Sequence, residues 1–227
     1  MTFDDQACAV VFSGGQDSTT CLAWACARFA RVSAVAIDYG QRHRIELECA
    51  ARVAARAGVP LCVLPCDSFR ALGGNALTGD EAVAEGVALA TGLPNTFVPG
   101  RNLILITLVA AWAYVRGIPN LVAGVCQTDY SGYPDCRQTT MDALVAALRA
   151  GMDAPFTLHT PLMHLSKAES VRLLHGLGRL SWLADSHTCY NGQRPPCGAC
   201  PACRLRARGF ADAGLADPLL ALPQDPR

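Results

Sequence analysis

Apolar residues follow two rhythms along this chain, and the alternation between them predicts its architecture. Short, nearly unbroken apolar runs occur at residues 7–12, Val32–Ile37, Pro60–Leu64 and Leu121–Val125. They have strand length and little polar alternation, the pattern of strands buried on both faces. Thr157–Leu162 reads as a fifth strand. Between these runs the spacing lengthens to the helical period. A helical pattern begins after Ser13-Gly14-Gly15. His43–Arg56 places Ile45, Cys49, Val53 and Ala57 on one face, with Arg and Glu between them, and Gly58-Val59-Pro60 stops it. Arg101–Arg116, Thr139–Ala150 and Ser166–Leu174 complete the helical set. Strand and helix in alternation predict an α/β fold with a doubly wound parallel sheet. Ligands of such sheets sit beyond the carboxyl ends of the strands, where Ser13-Gly14-Gly15 and Asp38-Tyr39-Gly40 both fall.

One stretch resists this pattern. Ser68–Pro99 carries Gly73-Gly74, Gly79, Gly86, Gly92 and Pro94, and reads as a broken excursion with one short helix. Long loops within compact domains are often functional, and a surface insertion fits the composition equally well. The longest apolar segment, Leu103–Val115, falls short of the ~18 residues of a membrane span and reads as a buried helix. Met1-Thr2-Phe3-Asp4-Asp5 is acidic where a signal peptide is basic, so a soluble, cytoplasmic protein is expected.

At 227 residues the chain suits a core domain, placed at 1–185, followed by a small segment at 186–227. A formal net charge of zero gives no electrostatic bias toward nucleic acid or anionic membrane, so neither is expected as a partner. Eight of the twelve cysteines are scattered, mostly within apolar segments, and read as small buried hydrophobes. The other four, Cys189, Cys197, Cys200 and Cys203, lie within 15 residues. Gly198 and Pro201 break the chain so that the sulfurs can converge. Four thiolates saturate a tetrahedral Zn²⁺ and leave no open position, so the site reads as structural, with a terminal helix after it. Thiolates also bind iron–sulfur clusters, and spacing does not separate the two.

The first strand runs into Phe12-Ser13-Gly14-Gly15-Gln16-Asp17-Ser18-Thr19-Thr20-Cys21-Leu22. A glycine turn followed by a helix start offers backbone N–H groups and a positive helix end, the makings of a phosphate site. It lacks the lysine of a Walker loop and the third glycine of a dinucleotide fingerprint. Ser-Gly-Gly-x-Asp-Ser instead resembles the PP-loop of ATP pyrophosphatases. Further blocks follow in order: Asp38-Tyr39-Gly40-Gln41-Arg42-His43, Pro94–Asn102, Thr128–Arg137, Thr160-Pro161-Leu162 with Lys167-Ala168-Glu169, and the cysteine cluster. Together they resemble one PP-loop family, the 7-cyano-7-deazaguanine synthases of queuosine biosynthesis. The excursion before Pro94 is shorter than the family pattern, and Gln138-Thr139-Thr140 diverges from it.

The resemblance implies a Rossmann-like sheet of the adenine nucleotide alpha-hydrolase type and a homodimer. It implies an ATP-dependent ligase that turns 7-carboxy-7-deazaguanine and ammonia into the nitrile, with Mg²⁺ on the phosphates. On this reading Phe12–Leu22 bind ATP, and Asp17 positions the metal or caps the helix. Arg101 grips a carboxylate or phosphate. Arg42, His43, Asn102, Asp129, Tyr133 and Asp135 contact the deazaguanine, whose N–H edge suits carboxylate acceptors and whose ring can stack on tyrosine. Three other readings stay open: a tRNA-thiolating PP-loop enzyme, a glutamine-dependent synthetase and a zinc-ribbon interaction module. Zero net charge, the chain length and the PP-loop argue against them in turn.

Lys167 stands out on composition. The chain has eighteen arginines and this single lysine, which suggests a site where a planar fork does not fit. Ser166 and Glu169 form a capping-box pattern that puts Lys167 in a helix's first turn. A cation there is disfavoured by the helix dipole, so a compensating anion is expected nearby.

Overall fold

The computed structural model describes residues 2–40, 45–69, 93, 95–128 and 132–221. The sheet has five strands: β1 (Ala7–Val11), β2 (Arg31–Asp38), β3 (Leu61–Pro65), β4 (Asn120–Val122) and β5 (Thr157–His159). Their order is β3-β2-β1-β4-β5, and every pair is parallel. The chain therefore winds outward from β1 in both directions, and the order reverses between β1 and β4.

Strand alternation splits the core into two layers. Cys8, Val10 and Phe12 point to one face, where they pack with α1 (Gln16–Cys26), α2 (Ile45–Ala57) and α5 (Lys167–Gly176). Ala7 and Ala9 point to the other face, against α3 (Arg101–Tyr114) and α4 (Gln138–Met152). A sixth helix, α6 (Pro201–Ala213), places Phe210 in the first of these layers. The four cysteines form their own small cluster at its start.

Two expected strands are shorter than their apolar runs. β4 ends at Val122 instead of Val125, and β5 at His159 instead of Leu162. The reason for β4 is Gly124, whose Cβ, were there one, would lie 3.2 Å from the backbone of Asp17 and Ser18. There the chain leaves the sheet and runs beside the start of α1. The capping box at Ser166 is present, with the Ser166 hydroxyl accepting from the Glu169 N–H and the Glu169 carboxylate accepting from the Ser166 N–H. Most of the expected excursion, including its helix, lies outside the described residues, as do Arg42, His43, Asp129 and Tyr130.

Candidate active site

A cavity of about 320 Å³ opens beyond the carboxyl ends of β1, β2 and β4. Val11 and Phe12 line it at the end of β1, Ile37 and Tyr39 at the end of β2, and Ala123 to Val125 just beyond β4. It sits where the strand order reverses, the expected place for a ligand in such a sheet. A second cavity of about 320 Å³ adjoins it. The two share Asp17, Arg101, Asn102, Gly124, Val125 and Tyr190.

The PP-loop forms the floor of the first chamber. Gly15 is the N-cap of α1 and brings no side chain to satisfy the first-turn amides, so they suit an anion. Ser13 and Ser18 brace the turn. The Ser13 N–H donates to Ser18 Oγ at 3.3 Å, and Ser18 Oγ donates to the Gly15 carbonyl at 3.2 Å. Gly14 works differently. Its φ is +76°, and a Cβ there would stand 2.5 Å from the backbone nitrogen of Ala50 in α2. Gly14 lets the loop press on α2 and does not line the chamber.

The motif divides into residues that line the cavity and residues buried behind it. Phe12, Ser13, Gly15, Gln16, Asp17 and Ser18 line the cavity. Gly14, Thr19, Thr20, Cys21 and Leu22 do not. The last four begin the second turn of α1, and all are at most 1% exposed. Thr20 Oγ1 spends its proton on the Gln16 carbonyl, and Cys21 and Leu22 belong to the core.

Lys167 meets the loop from across the cleft. Its Nζ donates to both carboxylate oxygens of Asp17, at 3.0 and 2.8 Å. The anion expected beside Lys167 is thus Asp17, and since Gly15 is the N-cap, Asp17 is not the cap.

Arg101, at the start of α3, stands on the wall between the chambers. It hydrogen-bonds the Tyr39 hydroxyl. Burial by itself works against its charge, but the hydroxyl oxygens of Tyr39, Tyr190 and Tyr133 and the Asp135 carboxylate around it favour the guanidinium, which stays protonated. Burial raises Tyr39 to about 12, which keeps its hydroxyl neutral. Glu46 also faces this chamber. Desolvation raises its carboxyl to about 7 despite the pull of Arg101. It is half-buried where it lines the cleft.

Tyr133 and Asn102 line the second chamber, and Asp135 does not. Asp135 is 5% exposed, and its carboxylate accepts from the Asn102 backbone N–H at 2.9 Å. It satisfies the start of α3 and so steadies Arg101 and Asn102. The substrate contact expected of Asp135 stays an expectation, and the role seen here is the one at the start of α3. Tyr133 is fixed by a 2.6 Å hydrogen bond with Thr96, and its ring lies 5.5 Å from that of Phe97. Asn102 Nδ2 donates to Cys136 Sγ at 3.2 Å.

Reading motifs alone missed the contribution of the C-terminal segment. His187, Thr188, Tyr190 and Arg206 line the first chamber. The His187 N–H donates to the Gly14 carbonyl at 2.9 Å, which straps this segment onto the PP-loop. Arg206 is 3% exposed. It donates to Thr188 Oγ1 and Ser186 Oγ and pairs with Asp217 through two short hydrogen bonds, 2.6 and 2.7 Å. The polar run Ser186-His187-Thr188 after an apolar turn was the available signal.

The four thiolates Cys189, Cys197, Cys200 and Cys203 do converge. Their sulfurs all lie within 4.8 Å of one another, and Cys197 and Cys203 are 3.9 Å apart. Four ligands at a zinc–sulfur distance near 2.3 Å stand about 3.8 Å apart at tetrahedral corners. The cluster fits one metal ion. A multinuclear iron–sulfur cluster would hold its four thiolates farther apart. Backbone N–H groups of Ala199 and Cys200 donate to Cys197 Sγ and lower its thiol to about 6, so a thiolate is favoured there.

The family model described as "Queuosine biosynthesis protein QueC" matches residues 7–214. The chain belongs to the QueC family. Its relatives include the 7-cyano-7-deazaguanine synthases of Chromobacterium violaceum and Laribacter hongkongensis. The first is 62% identical, over 95% of this chain and 94% of that protein. The second is 58% identical, over 96% and 95%. Among solved structures, the NMN synthetase of Francisella tularensis is similar at a TM-score of 0.48 and 12% identity, over 93% of this chain and 79% of that one. As a QueC protein the chain is an enzyme of the queuosine pathway.

Proposed function

We propose that this chain is a 7-cyano-7-deazaguanine synthase, an ATP-dependent ligase acting on 7-carboxy-7-deazaguanine and ammonia. The observation that carries this is the pair of chambers joined at Arg101. One has a side-chain-free helix start for a pyrophosphate, and the other has a tyrosine wall for a flat heterocycle. A carboxylate in the second chamber would meet an α-phosphate in the first beside Arg101. Its oxygen attacks that phosphorus, and pyrophosphate leaves toward Gly15 and the first turn of α1. Ammonia then adds to the acyl carbon and expels AMP, leaving an amide after loss of a proton. The amide oxygen attacks a second ATP, pyrophosphate leaves again, and loss of AMP and a proton yields the nitrile.

Side chains divide this work. Lys167 trades Asp17 for a phosphate oxygen as charge builds. Arg101 orients the carboxylate, and Tyr133, Tyr190 and Asn102 form the walls of the heterocycle site. Arg42, His43 and Asp129 complete the substrate contacts in this reading. Asp17, with the Ser13 and Ser18 hydroxyls beside it, suits Mg²⁺, which binds through one or two carboxylates and the phosphates themselves. There Mg²⁺ would screen the triphosphate charge. The cysteine cluster holds a structural Zn²⁺, since four thiolates leave no position for water. The enzyme acts as a cytoplasmic homodimer without a nucleic-acid partner. Among the described residues no helix is long and apolar enough to cross a membrane.

The test is to incubate the protein with ATP, ammonium and 7-carboxy-7-deazaguanine and to look by mass for the nitrile. Two AMP per nitrile is the expected ratio. AMP formation that does not depend on the deazaguanine refutes the reading.

A further inference from the structure

We propose that Gly209 is a positioning residue for Lys167, and that the bare face of α6 is the rail on which the only lysine of the chain reaches the PP-loop. The inference rests on the role given to Lys167 above. A Cβ at Gly209 would stand 2.6 Å from Lys167 Cγ, 3.0 Å from its Cβ and 3.4 Å from its carbonyl carbon. The first of these is closer than side chains pack. The stem of Lys167 therefore lies directly on the α6 backbone. Nothing about turn geometry requires a glycine here: Gly209 sits inside a regular helix, where alanine is the better helix former. The space itself is what the glycine supplies.

The consequence reaches the site through one side chain. Lys167 Nζ pairs with Asp17, and the Lys167 side chain is 12% exposed. A side chain packed along its length and tied at its tip has one available course. That course ends over the loop where pyrophosphate departs. α6 is in turn fixed at its start by Cys200 and Cys203, at its middle by Arg206, and next to Gly209 by Phe210 in the main core. The helix is thus held on both sides of the contact, and a methyl at Gly209 would be relieved by moving Lys167.

The single lysine makes the test selective. Gly209→Ala, Lys167→Ala and the double variant are compared for AMP formation, metal content, melting temperature and modification of the Lys167 amine by an acylating reagent, read by peptide mapping. Gly209→Ala is expected to lower kcat between about tenfold and a hundredfold, with little change in the KM for ATP. Metal content is retained, and Lys167 is modified faster than in the parent. The double variant is expected to be no slower than Lys167→Ala, because both changes act on one side chain. Should Gly209→Ala not fold, the double variant, which lacks the Cγ met by the new methyl, is expected to fold; if it does not, the contact is not the cause and the proposal fails. Wild-type kcat and amine reactivity in Gly209→Ala overturn it too. So does a loss that multiplies with that of Lys167→Ala. A fully active Lys167→Ala overturns the role of Lys167 itself, a result distinct from a silent Gly209→Ala beside an impaired Lys167→Ala.

Discussion

The PP-loop and the C-terminal segment line the same chamber by opposite means. The loop works through backbone: Gly15 starts a helix with no side chain in the way, and Ser13 and Ser18 brace it within five residues. The segment works through side chains brought from far along the chain. Arg206 holds Thr188 and pairs with Asp217, and Gly209 makes room for the Lys167 side chain, while a backbone bond from the His187 N–H to the Gly14 carbonyl straps the segment to the loop. A backbone site needs only local sequence to form. A side-chain site depends on everything that fixes its elements in place. The two regions should therefore fail differently when perturbed.

The largest effect should come from the metal cluster. Four-thiolate sites reach roughly 10–16 kcal/mol of apparent binding energy in isolated zinc modules. With zinc bound, part of that energy would hold residues 189–203 beside the cleft. Cys200→Ser is expected to lose the metal equivalent and to lower the melting temperature by roughly 10 °C or more. AMP formation should fall with it, since His187 and Thr188 lose their support. Metal analysis, calorimetry and the AMP assay read the three together. A metal-free, folded and fully active variant would show the two regions to be independent.

Next in size is the ion pair that ties Arg206 to Asp217. Both side chains are nearly buried, at 4% and 7% exposure. Asp217→Ala leaves a guanidinium without its anion and is expected to cost about 3–5 kcal/mol in urea unfolding. Because Arg206 also donates to Thr188, ATP binding should weaken as well. A cost below about 1 kcal/mol, typical of an exposed pair, would mean that water reaches Arg206 and that the segment is looser than its contacts imply.

A third experiment separates the two glycines of the loop. Gly14→Ala meets both a positive φ and the Ala50 backbone, and should cost about 2–5 kcal/mol. At Gly15 the nearest atoms to a new Cβ are 3.4 Å away, and φ is −78°. Gly15→Ala should therefore fold normally and weaken pyrophosphate binding, measured by titration calorimetry. If Gly14→Ala folds and loses only pyrophosphate affinity, Gly14 touches the ligand and the division between them is wrong.

The same division explains what could be read in the sequence. Five strands in parallel, the helix starts and the PP-loop turn follow from local pattern, because buried strands and capping boxes are local in cause. The four cysteines were legible because metal ligands cluster in sequence as well as in space. The bond from Asp135 to the start of α3 was not legible, since a carboxylate in a family block looks the same whether it faces a ligand or the N–H of Asn102. The burial of Thr19 to Leu22 was not legible either, because a motif does not say where a helix turns its back on a cavity. Arg206 and Gly209 could not be found at all, for their meaning lies in Asp217, Thr188 and Lys167, and the last is 42 residues from Gly209 in the chain.

Glu46 gives the smallest expected effect and tests the comparison where it is weakest, because here a side chain titrates in the same chamber as the backbone site. Its position in the first turn of α2 should favour the charged form through the helix dipole. Desolvation in the cleft overrides this and raises the carboxyl from 4.5 to about 7, with Arg101 opposing. The folded state then binds a proton that the unfolded chain has already released. Stability from this group is complete below pH 4.5 and is lost as pH rises toward 7. At 1.36 kcal/mol per unit the ceiling is about 3 kcal/mol, lowered by water entering the cleft. Glu46→Gln cannot lose a proton, so it should gain on the parent in urea stability as pH rises through that window and keep a constant advantage above it. Triphosphate affinity should also fall less steeply with pH in the variant, because a charged Glu46 repels the ligand. Parallel stability curves for the two proteins between pH 4.5 and 7 would mean that Glu46 is solvated like any surface carboxylate, and that the chamber is wetter at α2 than at the loop.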